Sequence, residues 1–178
     1  MHLDQPPPAG YGTLGQRQVS LTFRTDAFEI QVLPLSESII RMLSPDTYNS
    51  FHRLLLRQAP EIEEAAARNG LDSPTLFLVT FFGRQNAARF IPDLLQVTSQ
   101  NRVFRPVEIF PLSPLWHDQQ LDQRETAIAI YMYGDGIRLE NEISVSYDRF
   151  TTNAWAGIIR ILEREWVAIQ ARAAAGGR

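Results

Sequence analysis

Three histidines, His2, His52 and His117, are the only side chains that titrate near neutral pH without a perturbed environment. Nucleophilic hydrolysis needs a serine or cysteine held against such a base. The chain has no cysteine, and no serine stands in the G-x-S-x-G turn that presents a nucleophile. His2 falls in a Pro-rich segment, and His52 sits beside the apolar face of an expected helix, where a structural histidine is the simpler account. His117 belongs to Trp116-His117-Asp118-Gln119-Gln120, the one local cluster that resembles a site, although a solvated loop explains it without chemistry.

Metal chemistry finds equally little. No H-x-x-x-H, H-E-x-x-H or EF-hand loop is present. Asp118, Asp122 and Glu125, or Asp135, Glu140 and Glu142, carry oxygen ligands that suit Ca²⁺, but the same residue types build turns. Without cysteine there is no disulfide, no zinc–thiolate site and no thioether-linked haem. Tyr133-Gly-Asp-Gly-Ile137 has no lysine and no following helix, so it reads as a hairpin turn and not as a phosphate loop. Phe77, Phe81, Phe82, Tyr131 and Tyr133 have no basic residues between them, which favours core packing over a base-stacking platform. The expectation is a non-enzymatic protein with no catalytic residues, no cofactor and no bound metal.

Recognition surfaces are the remaining chemistry. Arg84, Arg89, Arg102 and Arg105 flank the middle of the chain near Phe90 and Phe104, and arginine with aromatics is the mixture enriched at protein–protein interfaces. Trp116, Trp155 and Trp166 complete the set of interface candidates. All 17 basic residues are arginine, which fits either bidentate, stacking contacts or a biased coding composition. A net charge of −3 gives no broad basic field, so nucleic acid is not an expected partner.

The elements that must position these residues are mostly β. A chain of 178 residues, 44% apolar and 21% charged, is one ordinary globular domain. Residues 1–18 are rich in Pro, Gly and Gln, and Pro6-Pro7-Pro8 predicts an extended spacer, or a tail laid along a partner. The domain then spans 19–172, with a frayed tail over 173–178. Val19, Leu21 and Phe23, then Phe28, Ile30 and Val32, alternate with polar residues as a hairpin or one bent strand. Ser44-Pro45 starts a helical insertion over about 44–69, with Tyr48, Phe51 and Leu55 on one face; Pro60 kinks or ends it, and Asn69-Gly70 stops it.

Thr75–Phe82 is apolar on both faces and predicts a central strand. Leu94–Thr98, Val103–Phe110, Ala127–Tyr133, Ile137–Leu139 and Ile143–Tyr147 follow as strands, with Pro106 marking an edge or bulge. Trp155, Ile158, Ile159, Leu162, Trp166 and Ile169 form one apolar stripe, a C-terminal amphipathic helix over about 152–172. Arg160, Glu163, Arg164 and Glu165 fall away from its centre. Seven or so short strands predict an immunoglobulin-like antiparallel β-sandwich, mainly β within the α+β class.

No stretch approaches the ~18 apolar residues of a spanning helix, so membrane association is expected only through a tether or a partner. The Pro-rich start, like that of a mature exported protein, predicts an exported, periplasmic and membrane-tethered setting over a cytoplasmic one. The functional expectation is a protein-binding accessory subunit docked on a larger assembly, bioenergetic and photosynthetic membrane complexes included. The alternative is a carbohydrate- or small-ligand-binding sandwich with calcium in its loops and an aromatic-lined site near Trp116.

Overall fold

The protein's structure, a computed structural model, describes residues 5–176. β1 (Leu21–Arg24) and β2 (Phe28–Pro34) form the expected hairpin. Its turn is closed by Thr25, whose amide donates to the Phe28 carbonyl at 2.8 Å and whose Oγ1 accepts the Phe28 amide at 2.9 Å. A short α1 (Glu37–Ile40) and a long α2 (Pro45–Arg68) follow. The strands β3 (Thr75–Gly83), β4 (Ala88–Arg89), β5 (Leu95–Ser99), β6 (Arg102–Phe104), β7 (Pro106–Pro111), β8 (Gln120–Leu121), β9 (Thr126–Tyr133), β10 (Ile143–Tyr147) and β11 (Phe150–Thr152) lead to α3 (Trp155–Gly176).

The named strands pair antiparallel throughout. One sheet runs β1-β2-β3-β9-β7, a second β11-β10-β5-β6, and β4-β8 is a separate ribbon. β3 is central, as its two apolar faces require: Phe77, Leu78, Val79 and Phe81 are all buried. Arg105 is the step between sheets, because β6 ends one and β7 edges the other. The expected irregularity at Pro106 is present as a register shift between Pro106 and Glu108. Gln100 and Asn101 both take positive φ, 49° and 62°, giving the two-residue turn that matches strand twist between β5 and β6.

A cluster of aromatic rings joins β3 to β10. Phe81 on β3 meets Tyr147 on β10 edge-on at 5.4 Å, and Phe90 and Trp116 close the same cluster. Two buried phenols cross from β9 to the other sheet's approach. Tyr131 donates to the Pro92 carbonyl at 2.9 Å, and Tyr133 to the Leu95 carbonyl at 2.8 Å. A buried hydroxyl without a partner would cost free energy, so these bonds tie β9 to the segment that enters β5.

Several expectations need correction. Pro60 neither ends nor splits α2, which runs unbroken to Arg68. The proline removes one backbone bond at an exposed position, while Tyr48 and Phe51 before it and Ile62 and Ala65 after it are buried. Ser44 precedes α2, but its hydroxyl pairs with Thr47 Oγ1 at 2.9 Å and caps no amide. Ile137–Leu139 is no strand: the Arg138 amide goes to Ser99 Oγ, and the Leu139 carbonyl accepts Trp155 Nε1. Those side-chain bonds replace a ladder.

The C-terminal helix begins at Trp155 and reaches Gly176, beyond the expected 172. Its stripe packs on its own chain, with Trp155, Leu162 and Ile169 fully buried. Glu165 lies inside that stripe, 7% exposed, and not on the outer face. The reason is at the other end of the chain. Residues 7–15 lie against the domain: Pro7 is buried, the Leu14 amide donates to the Met42 carbonyl at 3.1 Å, and Thr13 bonds Glu165. A Cβ at Gly12 would overlap the Met42 and Leu43 backbone, so only glycine permits this approach.

Candidate functional site

Three segments far apart in sequence meet at the end of the five-stranded sheet where β3 begins. Leu35 and Ser36 leave β2, Ser73 to Leu76 enter β3, and Asp135 to Glu140 leave β9, together lining a cleft of about 490 Å³. That volume lies in the range of small-ligand and side-chain pockets. Of its lining, Leu35, Ile137 and Leu139 are buried. Ser36, Ser73, Thr75, Asp135, Arg138 and Glu140 supply the polar groups.

Its walls are pinned. Both oxygens of Asp135 accept backbone amides, from Asp72 and Ser73, each at 2.9 Å. The far wall is held by Arg138 N to Ser99 Oγ at 3.2 Å and by the buried Trp155 indole to the Leu139 carbonyl at 2.9 Å. Inside this fixed frame, the Ser36 hydroxyl is shut from solvent and has no hydrogen-bond partner. Arg138 and Glu140 face each other at 3.8 Å, a loose and exposed pair of little energetic weight.

Arg102 belongs to this region. Its guanidinium lies 4.7 Å over the Phe104 ring. Both residues sit against Gly136 (φ +109°) at the lip of the cleft. Arg102 and Arg105 are exposed and have no carboxylate partner among the described residues.

The other interface candidates scatter. Arg84 donates to the Thr25 carbonyl at 2.8 Å beyond the far end of β3. Arg89 lines a second, smaller cleft of about 270 Å³ with Ile91, Tyr147 and Arg149. Nine residues of β3 separate the two ends, roughly 25–30 Å at strand rise, so the four arginines form two groups and not one. Phe90, Phe104, Trp116 and Trp155 are 1%, 5%, 4% and 0% exposed. These four rings pack in the core and present little surface to a partner. Trp166 is half-buried, with its indole N–H enclosed and without an acceptor.

Two networks of titratable groups tie the chain to itself. Burial alone would raise the Glu165 carboxyl. Hydrogen bonds from Arg172 and Thr13 outweigh that and hold it below the usual carboxylate range. Glu37 behaves alike: its desolvation is overcome by Arg41 at 2.7 Å and the Tyr48 hydroxyl at 2.8 Å. His52 stacks on Tyr48 at 5.4 Å and approaches Glu37 at 3.8 Å, while Arg41 also holds the Pro7 carbonyl at 3.2 Å. Burial pushes the Tyr131 and Tyr133 phenols well above their ordinary values. Among the described residues no three His, Cys, Asp or Glu side chains gather as a metal site, and none of the helices is long and apolar enough to cross a membrane.

Sequence reading missed Ser36, Ser73, Thr75 and Arg138. Ser36-Glu37 carries a local helix-start signal, but nothing local announces that three segments converge. No family model, curated protein or solved structure matches the chain.

Proposed function

We propose that this protein is a non-catalytic binding domain that docks on another protein through the face holding the β3 cleft, with Arg102 at its lip and the exposed Arg105 just before β7. The carrying observation is the contrast between the two kinds of charged group. The buried and half-buried carboxylates and phenols are engaged in anchoring bonds, whereas Arg102 at the lip of the pinned cleft and Arg105 stand exposed without a carboxylate partner among the described residues. Arginine so placed is poised for planar contacts with a partner.

The finer fold reading is a two-layer β-sandwich, immunoglobulin-like in having two antiparallel sheets over one core. Its support is the ring contact of Phe81 with Tyr147 across the layers. The larger assembly we envisage includes membrane-associated complexes, joined through protein contacts.

The test is co-purification of the full chain from its own cells, as wild type and as Arg102→Glu/Arg105→Glu. The reading requires a stable stoichiometric partner with the wild type and its loss in the variant at unchanged melting temperature. Recovery of wild type only as a free monomer would overturn it.

A further inference from the structure

Resting on the docking role just proposed, we infer that the β3 cleft receives an extended, uncharged segment of the partner protein carrying an aliphatic side chain. The chemistry of the lining selects this occupant. Leu35, Leu76, Ile137 and Leu139 make the apolar part of the lining aliphatic, and no aromatic ring lines the cleft to stack against a sugar face. Around them the groups alternate in kind: Arg138 donates, Glu140 accepts, and the hydroxyls of Ser73 and Thr75 do both. A peptide backbone presents the same mixture of N–H and C=O.

Charge points the same way. Arg138 and Glu140 offset each other at 3.8 Å, and Asp135 is held by two amides with Arg102 nearby. A charged side chain therefore gains little inside the cleft, whereas the exposed Arg102 at its lip is left for the partner's surface outside it. Because the walls are already fixed by Asp135 and Trp155, binding needs little ordering of the protein. A segment extended across the cleft presents its backbone N–H and C=O groups to this lining while one aliphatic side chain enters.

The experiment titrates ¹⁵N-labelled full chain with the capped pentapeptide acetyl-Gly-Ser-Leu-Ser-Gly-amide. Parallel arms use its Leu→Ala and Leu→Asp forms, methyl α-D-glucopyranoside and sodium octanoate. The inference requires saturable shifts at the amides of Ser36, Thr75 and Ile137–Leu139 with the leucine peptide, and affinity weaker by about tenfold for the alanine form. Shifts only with the glucoside or octanoate, shifts elsewhere, or none up to peptide solubility would overturn it. Ser73→Trp fills the cleft while keeping the backbone bond to Asp135, and must abolish the shifts. If the native partner co-purifies equally with this variant, the cleft assignment fails and the docking role stands. If wild type has no partner, the docking role fails whatever the peptide does.

Discussion

Thr13 and Glu165, 152 positions apart, are joined twice: the Thr13 amide and hydroxyl both donate to Glu165 Oε1, at 2.8 and 2.9 Å. Arg172, two helical turns further along α3, donates to the same oxygen at 2.8 Å. A carboxylate this enclosed is tolerated only with such partners. It fastens residues 11–14 to the last helix, so the Pro-rich start is part of the fold's closure.

Glu165→Gln keeps the shape and removes the charge. Hydrogen bonds to a charged group contribute about 1.5–3 kcal/mol each, and glutamine retains part of them, so a loss of about 1–3 kcal/mol is expected. For a chain of this size that is a fall in melting temperature of roughly 2–4 °C per kcal/mol. Calorimetry on wild type and variant measures it.

The pH dependence has a fixed sign. Glu165 and Glu37 titrate below the ordinary carboxylate value in the folded chain, so between the folded and unfolded values the unfolded state binds more protons. Their contribution is complete above roughly pH 4.5 and is lost as pH falls through the lowered folded values. Urea melts across pH 3–6 test this. The acid-side loss of stability must be smaller in Glu165→Gln than in wild type.

Much of the architecture was legible in the sequence. The β1–β2 hairpin, the central β3 and the apolar stripe of α3 follow from period-2 and period-3.6 patterns, which record local burial. What escaped was set by distant partners. Glu165 continues the 155, 158, 162, 169 spacing, yet its charge placed it outside until Thr13 and Arg172 were seen to satisfy it. Ile137 and Leu139 alternate like a strand, but Ser99 and Trp155 take their backbone groups. Phe90 and Trp116 looked like interface aromatics because composition does not distinguish a core ring from an exposed one. The cleft was invisible because its three walls are joined only by the order of strands β2, β3 and β9.

Gly12→Ala should release the N-terminal segment. The added Cβ meets backbone atoms of Met42 and Leu43, which have no rotamer to yield. Overpacking of this kind costs about 1–3 kcal/mol. Limited proteolysis should cut within residues 5–15 several times faster than in wild type, with the β core still protected; equal cleavage rates would show that the segment is not held there.

Pro60→Ala should stabilise the protein. Proline is roughly 3 kcal/mol less favourable than alanine inside a helix. Its stiffening of the unfolded chain recovers part of that, leaving a gain of about 1–2 kcal/mol. Denaturant melts should show a higher midpoint with an unchanged slope.

Hydrogen exchange on the native assembly, compared with the free protein, tests the docking face most directly. The account predicts slower exchange at residues 73–76 and 135–141 and around Arg102 and Arg105 in the assembly, with little change on the outer face of α3. Protection confined to α3 or to the opposite end of β3, or no protection at all, would contradict it.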